Sequence, residues 1–347
     1  MPPEISRLNP ADSDDWTRFI QDQPAAMVYH SLTFKQFLED AIGGEPVYLV
    51  ARRDGRVVGV LPAWMSEDLG IGRVINSLPF FGSNGSVLAE NQADAAALFS
   101  ALDEMARDTD CLTATIVSNP YQPAAGMKAL PPGFSPLDSR VCQVTPLPED
   151  GPDLEARLMT GYEGRTRTAI RKARKEGVNT MISNGREELR VFHRVHQESI
   201  TFLGGVPKPL AILETLIHDF GDQAEIIYAV KERELLAGAI FLFFQDKVEY
   251  YTVFSRPEAR PRQPLSLVVL AAMHVAAQRG CRFFSFGGTW PTQLGVSQFK
   301  QGFGAQGRPY SYYIKLYRDL NFFKQLGREK ILKYFPWFYV IPFGLLG

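Results

Sequence analysis

Short runs in which apolar and polar residues alternate are separated along this chain by longer stretches with apolar residues at helical spacing. Residues 47–51 and 57–61 flank Arg53-Asp54-Gly55-Arg56. Asp-Gly between two such runs is a strong signal for a β-hairpin. A helix is predicted from Ala93 to Arg107 and a strand from Leu112 to Val117. The first half therefore predicts strands, then a helix, then a further strand.

The second half begins with a helix and then repeats this order. The predicted elements are strands at Ile226–Val230 and Leu236–Phe241, a strand at Val248–Phe254, a helix from Leu265 to Arg279 and a strand at Phe283–Thr289. Gly59 and Gly238 occupy the same place in the second strand of each hairpin. The matched order predicts a duplicated α/β unit, with a period too long for a solenoid.

The segment between the two halves is rich in proline. Residues 120–152 contain eight prolines and end in acidic turn residues. We interpret them as a connector without a regular element. The predicted domains are accordingly residues 1–150, residues 151–320 with the chemistry, and a C-terminal tail at 321–347.

The stretch from Phe283 to Gly304 is the strongest candidate for a reactive site. Its first part predicts a buried strand that ends in the glycine-rich turn Gly287-Gly288. Further on, Lys300 lies between Phe299 and Phe303. A cation among aromatic residues is costly to bury, and one beside bare backbone can stabilise an oxyanion or hold a phosphate. The alternative is a turn from which Lys300 extends to water.

A basic segment opens the second half. Residues 165–175 hold six basic residues and no acidic one. On a helix, Arg167, Arg171 and Arg174 share one face, and guanidinium groups pair two phosphate oxygens at once. The alternative is a solvated helix whose positive charges complement its own C-terminal dipole. We favour a phosphate site.

Composition limits the remaining possibilities. The chain is 45% apolar and 22% charged with a formal net charge of −1, which argues against a general nucleic-acid binder. Three cysteines without CxxC spacing predict neither disulfides nor a zinc site, and His193 and His196 lack an apparent third ligand. No basic-then-apolar signal opens the chain, so we predict a cytoplasmic protein. A bacterial origin is a separate hypothesis.

Two further motifs leave alternatives open. Tyr250 and Tyr251 alternate across a strand, so one is expected in the core while the other offers its hydroxyl to a cleft. Gly302-Phe303-Gly304-Ala305-Gln306-Gly307 fits GxGxxG, but a strand rather than a helix is predicted after it, so we reject a dinucleotide site. Residues 331–347 are apolar and aromatic; they either rest in a membrane interface or pack on the protein.

Together the basic helix ending in Ala173–Val178, the Tyr250-Tyr251 strand, Phe286–Thr289 and Gln298–Gly304 resemble the Fem family of peptidyltransferases, which build peptidoglycan cross-bridges. The resemblance is best from about residue 160 to 317. It implies an α/β (α+β) chain of two tandem GNAT-like domains, the acyl-CoA N-acyltransferase fold, with central mixed sheets flanked by helices. It also implies transfer of an aminoacyl group from aminoacyl-tRNA to an amine on a phosphate-bearing cell-envelope precursor, with no tightly bound cofactor.

The same resemblance assigns roles to residues of this chain. Lys300 matches the lysine near the transferring carbonyl. The region from Arg165 through Arg167 to Arg171 matches the segment that grips the precursor's phosphates. The substrate cleft is expected to hold Tyr250, Tyr251, Phe299 and Gly302. Phe34-Lys35 is only a loose match to a Trp and Lys that the family often has near its start. The acceptor is therefore left open between a peptidoglycan precursor and a surface-glycan or exopolysaccharide precursor.

Two other functions compete with this hypothesis. The first is an acyl-CoA-dependent N-acyltransferase acting on an amino sugar or small amine. Such enzymes cradle the pyrophosphate at a helix N-terminus. The matching segment here, 260–266, carries prolines that lack the N–H donors. The second is a non-catalytic adaptor that contacts the inner face of the membrane through the C-terminal tail.

Overall fold

The computed structural model of the chain describes residues 1–80, 84–122, 127–202 and 206–347. The chain divides into two compact units. The first comprises Met1–Arg140 together with Arg308–Gly347, and the second is Val141–Gly307. The predicted bounds placed residues up to 320 with the second half. The difference arises because the chain re-enters the first unit at Arg308, where its strand pairs with that unit's sheet.

The first unit contains two groups of strands and four described helices. Its helices are α1 (Ser13–Gln21), α2 (Leu32–Ala41), α3 (Gln92–Asp108) and α10 (Leu320–Tyr334). Its strands are β1 (Glu4–Arg7), β2 (Glu45–Pro46), β3 (Leu49–Arg53), β4 (Arg56–Leu61), β5 (Trp64–Met65), β6 (Arg73–Asn76), β7 (Leu88–Ala89) and β8 (Cys111–Val117). In one sheet the strand order is β1-β3-β4-β7. In the other group the order is β15-β8-β6-β5-β2, where β15 is Gln306–Leu316. The predicted hairpin is β3–β4, and Asp54 and Gly55 both have positive φ, as its tight turn requires.

The second unit is a single mixed sheet with helices. Its helices are α4 (Leu154–Thr160), α5 (Gly164–Lys175), α6 (Arg186–Phe202), α7 (Leu210–Phe220), α8 (Pro264–Gln278) and α9 (Leu294–Gln301). Its strands, in sheet order, are β10 (Asn179–Ile182), β11 (Ala224–Lys231), β12 (Glu234–Phe244), β13 (Lys247–Ser255), β14 (Phe283–Thr289) and β9 (Ser135–Pro146), whose residues from Val141 belong to this unit. The hydrophobic helix α8 is buried against β11 and β12.

Each unit contains the same crossover. In the first, β6 is joined through α3 to β8, and β6 and β8 are parallel. In the second, β13 is joined through α8 to β14, and these strands are also parallel. Parallel neighbours need such a crossover connection, which explains why a helix intervenes in both halves. The predicted repeat of strand, helix and strand is therefore present in the fold.

The predicted connector contains a regular element, so that interpretation was wrong. Strand β9 runs for 12 residues and pairs antiparallel with β14. Pro136 and Pro146 lie at its two ends, where a missing N–H costs little. Between them, Val141–Thr145 is rich in β-branched residues that favour a strand. Residues 123–126 of the predicted connector lie outside the described residues.

The apolar C-terminal tail packs on the first unit. Phe335, Phe338 and Tyr339 are buried. The N–H of Phe80 donates to the carbonyl of Trp337 at 2.7 Å, and the hydroxyl of Tyr339 donates to Asp138 at 2.6 Å. Of the two alternatives for this tail, the structure shows the one in which it covers the protein. In the described part of the chain, no helix combines the length and apolar character needed to cross a membrane.

We predict that Tyr339→Ala destabilises the first unit by about 3–5 kcal/mol, as is typical for truncating a buried aromatic side chain. The substitution removes the ring contact with Tyr312, whose centroid lies 4.5 Å away, and the bond to Asp138. Urea unfolding followed by far-UV circular dichroism measures the loss. Leu345→Ala, in the same tail but 39% exposed, is the control and should change little. Unchanged unfolding of Tyr339→Ala would show that the packed tail contributes nothing.

Candidate functional site

The parallel strands β13 and β14 separate partway along their length, and the candidate site lies where they part. Their pairing runs from Lys247 and Phe283 to Glu249 and Ser285. Beyond those residues β13 continues to Ser255 and β14 to Thr289, but the two are no longer paired. The side chains that follow the last pair therefore line an opening in the sheet, which lies wholly within the second unit.

This opening is a cavity of about 750 Å3, here called the aromatic cavity. Its walls come from the diverging ends of β13 and β14, from α6, from the start of α8 and from α9. Most of the lining side chains are apolar or aromatic, among them Ile200, Tyr250, Val253, Leu265, Phe286 and Phe299. A concave, mostly apolar cavity of this size with a few polar groups is typical of a ligand site.

Lys300 lies in the wall of the aromatic cavity and is held by the end of β14. Its ammonium group donates to the hydroxyl of Thr289 at 2.7 Å and to the carbonyl of Phe286 at 2.8 Å. The carbonyls of Gly287 and Gly288 lie further away, at 3.3 and 3.4 Å. Because an ammonium has three N–H donors, two are firmly engaged and the third is shared between the two distant carbonyls.

The glycines of β14 make this arrangement possible. The register between β14 and β9 shifts between Ser285 and Gly288, and Gly287 has a φ of 66°. A residue with a side chain is strained at that φ, whereas glycine is not. The shift releases the carbonyls of Phe286 and Gly287 from the strand ladder, so they are free to accept from Lys300. Lys300 lies on a short helix, α9, and not in the turn that the sequence offered as an alternative.

Burial changes the acidity of Lys300. The residue is 5% exposed, and this desolvation lowers the pKa of its ammonium group to about 8. The charge of Glu249 opposes that shift, because a nearby carboxylate favours the charged ammonium. Glu249 is itself buried and was missed in the sequence, although a single acidic residue inside the apolar strand Val248–Phe254 is a visible signal.

The two tyrosines do not alternate as predicted. The pairing of β12 with β13 shifts so that Ile240 faces Thr252 while Phe241 faces Tyr250, which leaves Tyr251 as the extra residue of a β-bulge. Both tyrosines line the aromatic cavity as a result. The ring of Tyr250 packs on Phe286. Among the described residues the hydroxyl oxygen of Tyr251 is buried and has no hydrogen-bond partner.

A second, basic pocket of about 430 Å3 adjoins the aromatic cavity. Its walls come from Arg165, Thr168 and Lys172 of α5 and from Gln298 of α9. The two hollows share four lining residues: Gln263, Ser266, Gly295 and Phe299. A ligand could therefore extend from the basic pocket to the ammonium group of Lys300.

The helix face that lines the basic pocket is not the face proposed from sequence. Arg174 forms a bidentate ion pair with Glu155 at 2.7 and 2.8 Å. Arg167 donates to the carbonyl of Tyr162 at the end of α4. Arg171 is exposed and lines neither hollow. Lys172 and Thr168 were missed, although Arg165, Thr168 and Lys172 follow helical i, i+3, i+7 spacing.

Phe299 and Gly302 are placed differently by α9. The ring of Phe299 lines both hollows and packs edge-on against Phe303 at 5.2 Å. Gly302 supports the site from behind, because a Cβ there would collide with the hydroxyl of Thr166 on α5. The carbonyl of Gly302 accepts from the N–H of Glu163 at 2.9 Å. A strand, β15, follows these glycines, which supports the rejection of a dinucleotide loop.

The histidines are engaged by backbone groups. A ring nitrogen of His193 bonds the carbonyl of Lys208, and Nδ1 of His196 bonds that of Val253 at 3.0 Å. His196 also lines the aromatic cavity, and burial lowers its pKa to about 4, so it is neutral near pH 7. Within the described ranges no group of three or more His, Cys, Asp or Glu residues is arranged to hold a metal ion.

The family model described as an acetyltransferase (GNAT) domain matches residues 162–301. This stretch contains α5, the diverging strands and Lys300, and all the residues that line the two hollows except Phe303 lie within it. The second unit therefore carries an acyltransferase domain of the GNAT class, as predicted. No curated protein matches the sequence.

Solved structures are similar over nearly the whole chain. FemX aligns with a TM-score of 0.67 at 15% identity, covering 90% of this chain and 97% of its own. A tandem GNAT protein from the clavulanic acid biosynthesis pathway aligns at 0.57 and 15% identity, covering 91% and 99%. The C-terminal domain of a putative lysylphosphatidylglycerol synthetase from Agrobacterium fabrum aligns at 0.57 and 11%, covering 93% and 96%. The chain thus has the tandem GNAT fold that the resemblance to the Fem family implied.

We predict that Glu249→Gln lowers the pKa of Lys300 below its value of about 8, because the substitution removes the carboxylate charge that favours the ammonium. NMR titration of the lysine side chains measures this pKa, with the Lys300 signal assigned by its loss in Lys300→Arg. Glu234→Gln, on the exposed hairpin turn of the same unit, is the control. A Lys300 pKa that stays constant in Glu249→Gln would mean that the carboxylate does not act on it.

Proposed function

We propose that the second unit transfers an acyl or aminoacyl group from an activated donor to an amine of a phosphate-bearing cell-envelope precursor. The observation that carries this proposal is the buried ammonium of Lys300 in the wall of the aromatic cavity, beside a pocket lined by Arg165 and Lys172. The similarity in fold to FemX supports the same reaction class. Peptidoglycan and surface-glycan precursors both present the required chemistry.

The reaction is a nucleophilic substitution at a carbonyl. The neutral acceptor amine forms a bond to the carbonyl carbon, negative charge develops on the carbonyl oxygen, and the donor's ester or thioester bond then breaks. Lys300 is suited to stabilise that oxygen, because its third N–H is only weakly held by Gly287 and Gly288. The proton lost by the amine passes to water or to a substrate phosphate.

The basic pocket supplies orientation. A guanidinium and an ammonium on one face of α5 suit a phosphate, whereas the hydroxyl of Thr168 between them donates to the carbonyl of Gly164 at 3.0 Å. Fixing the phosphate there holds the rest of the substrate against the shared wall at Phe299. Such positioning converts an encounter in solution into an oriented, nearly unimolecular step.

The start of α8 bears on the choice of donor. In this helix Pro264 has no N–H, and the N–H of Ser266 already donates to the carbonyl of Gln263 at 3.1 Å. A helix N-terminus binds a pyrophosphate through several free N–H groups, so α8 is poorly equipped to cradle CoA. We therefore favour an activated ester or thioester other than acyl-CoA as the donor.

The proposal is tested by offering the purified protein charged tRNA or acyl-CoA together with nucleotide-sugar and lipid-linked acceptors, and following the acceptor's gain in mass. Transfer with either donor supports an acyltransferase and identifies its donor. If no acceptor gains mass with any donor, the non-catalytic adaptor becomes the better account of this chain.

We predict that Lys300→Ala slows transfer about a hundredfold or more, because losing one oxyanion donor typically costs about 3–4 kcal/mol. Transfer rates are compared under single-turnover conditions. Lys300→Met, which keeps the length of the side chain, should be equally slow, and circular dichroism checks that both variants fold. Lys175→Ala, an exposed lysine of α5, is the control. Full activity in both Lys300 variants would remove the lysine from the mechanism.

For the basic pocket, we predict that Arg165→Ala combined with Lys172→Ala weakens binding of a phosphate-bearing acceptor at least tenfold, mainly through KM. Two charge-assisted contacts are lost, and each is worth about 1.5–3 kcal/mol. The matched control is Arg171→Ala with Lys175→Ala, which removes the same charges from α5 outside the pocket. Equal weakening in both pairs would point to general attraction by the helix instead of a phosphate site.

A further inference from the structure

We infer that the aromatic cavity accepts an uncharged, bulky apolar acyl group, in preference to an acetyl group or a cationic aminoacyl group. The inference rests on the proposed function, because it takes the carbonyl to lie at Lys300 and asks what lies beyond it. It names the class of group that is transferred, which the GNAT fold by itself leaves open.

Size is the first argument. A cavity of about 750 Å3 is in the range that encloses drug-sized ligands. An acetyl group at Lys300 would leave most of this space to water against an apolar wall. Beyond the ammonium group that wall is formed by Ile200, Val253, Phe254, Leu265, Phe286 and Val296. Contact of an acyl chain with these side chains removes apolar surface from water on both partners.

Charge is the second argument. Among the described residues, the charged side chains that line the aromatic cavity are those of Lys300 and Arg260, and both are cations; no carboxylate lines it. The α-ammonium of an aminoacyl group is bonded to the carbon next to the carbonyl, so it would sit close to Lys300. Like charges at such separation in a partly desolvated site repel each other.

The remaining polar groups do not offset this repulsion. Glu249 is buried next to Gly287: its Oε1 would lie 3.2 Å from a Cβ added to that glycine. Its negative charge already interacts with the ammonium of Lys300. His196 is neutral near pH 7 and bonds a backbone carbonyl. An uncharged acyl chain meets no such penalty.

The consequence concerns the reaction that supplies the donor. An uncharged apolar acyl group is activated as an ester or thioester of a carboxylic acid, and transfer forms an amide while releasing the alcohol or thiol. The preceding step must therefore belong to the class of acyl-activating reactions that work on apolar carboxylic acids. The product is an envelope precursor that carries an apolar amide.

The test uses stable amides that mimic the reacting end of the donor and measures binding instead of transfer. The probes are N-acetylethylenediamine acylated with straight chains of two to ten carbons, with a 4-methylpentanoyl group or with a leucyl group. The last two have the same carbon skeleton and differ only in the α-amino group. Binding to the full chain is measured by isothermal titration calorimetry at pH 6, where that amine and Lys300 are both charged.

We expect affinity to rise about fourfold for each added methylene until the cavity is filled, which corresponds to about 0.8 kcal/mol per CH2. We also expect the 4-methylpentanoyl probe to bind at least tenfold more tightly than the leucyl probe. Affinity that does not change with chain length would overturn the inference. So would a leucyl probe that binds as tightly as its uncharged partner, since the cavity would then accept aminoacyl groups.

A variant shows whether the chains enter this cavity. Val253→Phe reduces the space beyond Lys300, so the longest chains should lose at least tenfold in affinity while the two-carbon probe is unaffected. Ile182→Phe makes the same kind of change on exposed strand β10, outside the cavity, and is the control. General damage to the fold would weaken the binding of all probes alike. A decrease in the longest acyl chain that still gains affinity would instead show that the acyl chain occupies the aromatic cavity. No such decrease in Val253→Phe would place the chains elsewhere and overturn the assignment.

These outcomes are separate from those that test the proposed function. Transfer that requires Lys300 combined with no preference for apolar probes would retain the acyltransferase and reject the apolar acyl group. Tight, length-dependent binding without any transfer would retain the apolar site and reject the acyltransferase.

Discussion

The bond between the ammonium of Lys300 and the freed carbonyls of β14 is the interaction on which the candidate site depends. It requires a shifted register, a glycine at positive φ and a short helix that brings the lysine back to the strand. Burying a cation is unfavourable unless it is hydrogen-bonded, and here Phe286 and Thr289 meet that need. Because the folded-state pKa of about 8 lies below 10.5, the charge costs stability at pH values below 8, and the cost fades as the pH rises toward 10.5.

In the proposed reaction that unfavourable burial has a use. An ammonium kept in a partly dry site interacts more strongly with a developing oxyanion than one in water does. With a pKa of about 8 the ammonium of Lys300 is mostly protonated near neutral pH, and the charge of Glu249 favours that form. The strand divergence after Glu249 and Ser285 creates the space, and the lysine, the carboxylate and the cavity are therefore consequences of one local departure from regular pairing.

The sequence predicted the regular parts of this chain better than its irregular ones. Hairpin turns, helix α8 and strand β14 follow from period and turn chemistry, and the repeat of strand, helix and strand was visible in their order. The position of Tyr251 was not, because a β-bulge shifts the side-chain alternation without a signal in composition. The face of α5 that lines the basic pocket was not predicted either. It depends on the pairing of Arg174 with Glu155 of α4 and of Arg167 with Tyr162 just after α4, and tertiary packing sets these partners.

The prolines at the start of α8 connect these observations. A GNAT helix with free N–H groups at this end would bind phosphate through its backbone. Here α8 lacks some of those N–H groups, and the basic side chains that border the two hollows are Arg260, which precedes α8, and Arg165 and Lys172 of α5. In the proposed function the side chains of α5 bind the phosphate, which then lies beside the aromatic cavity instead of at the start of α8. The space in front of α8 is then left to apolar groups such as Leu265, which is why the two hollows differ so sharply in chemistry.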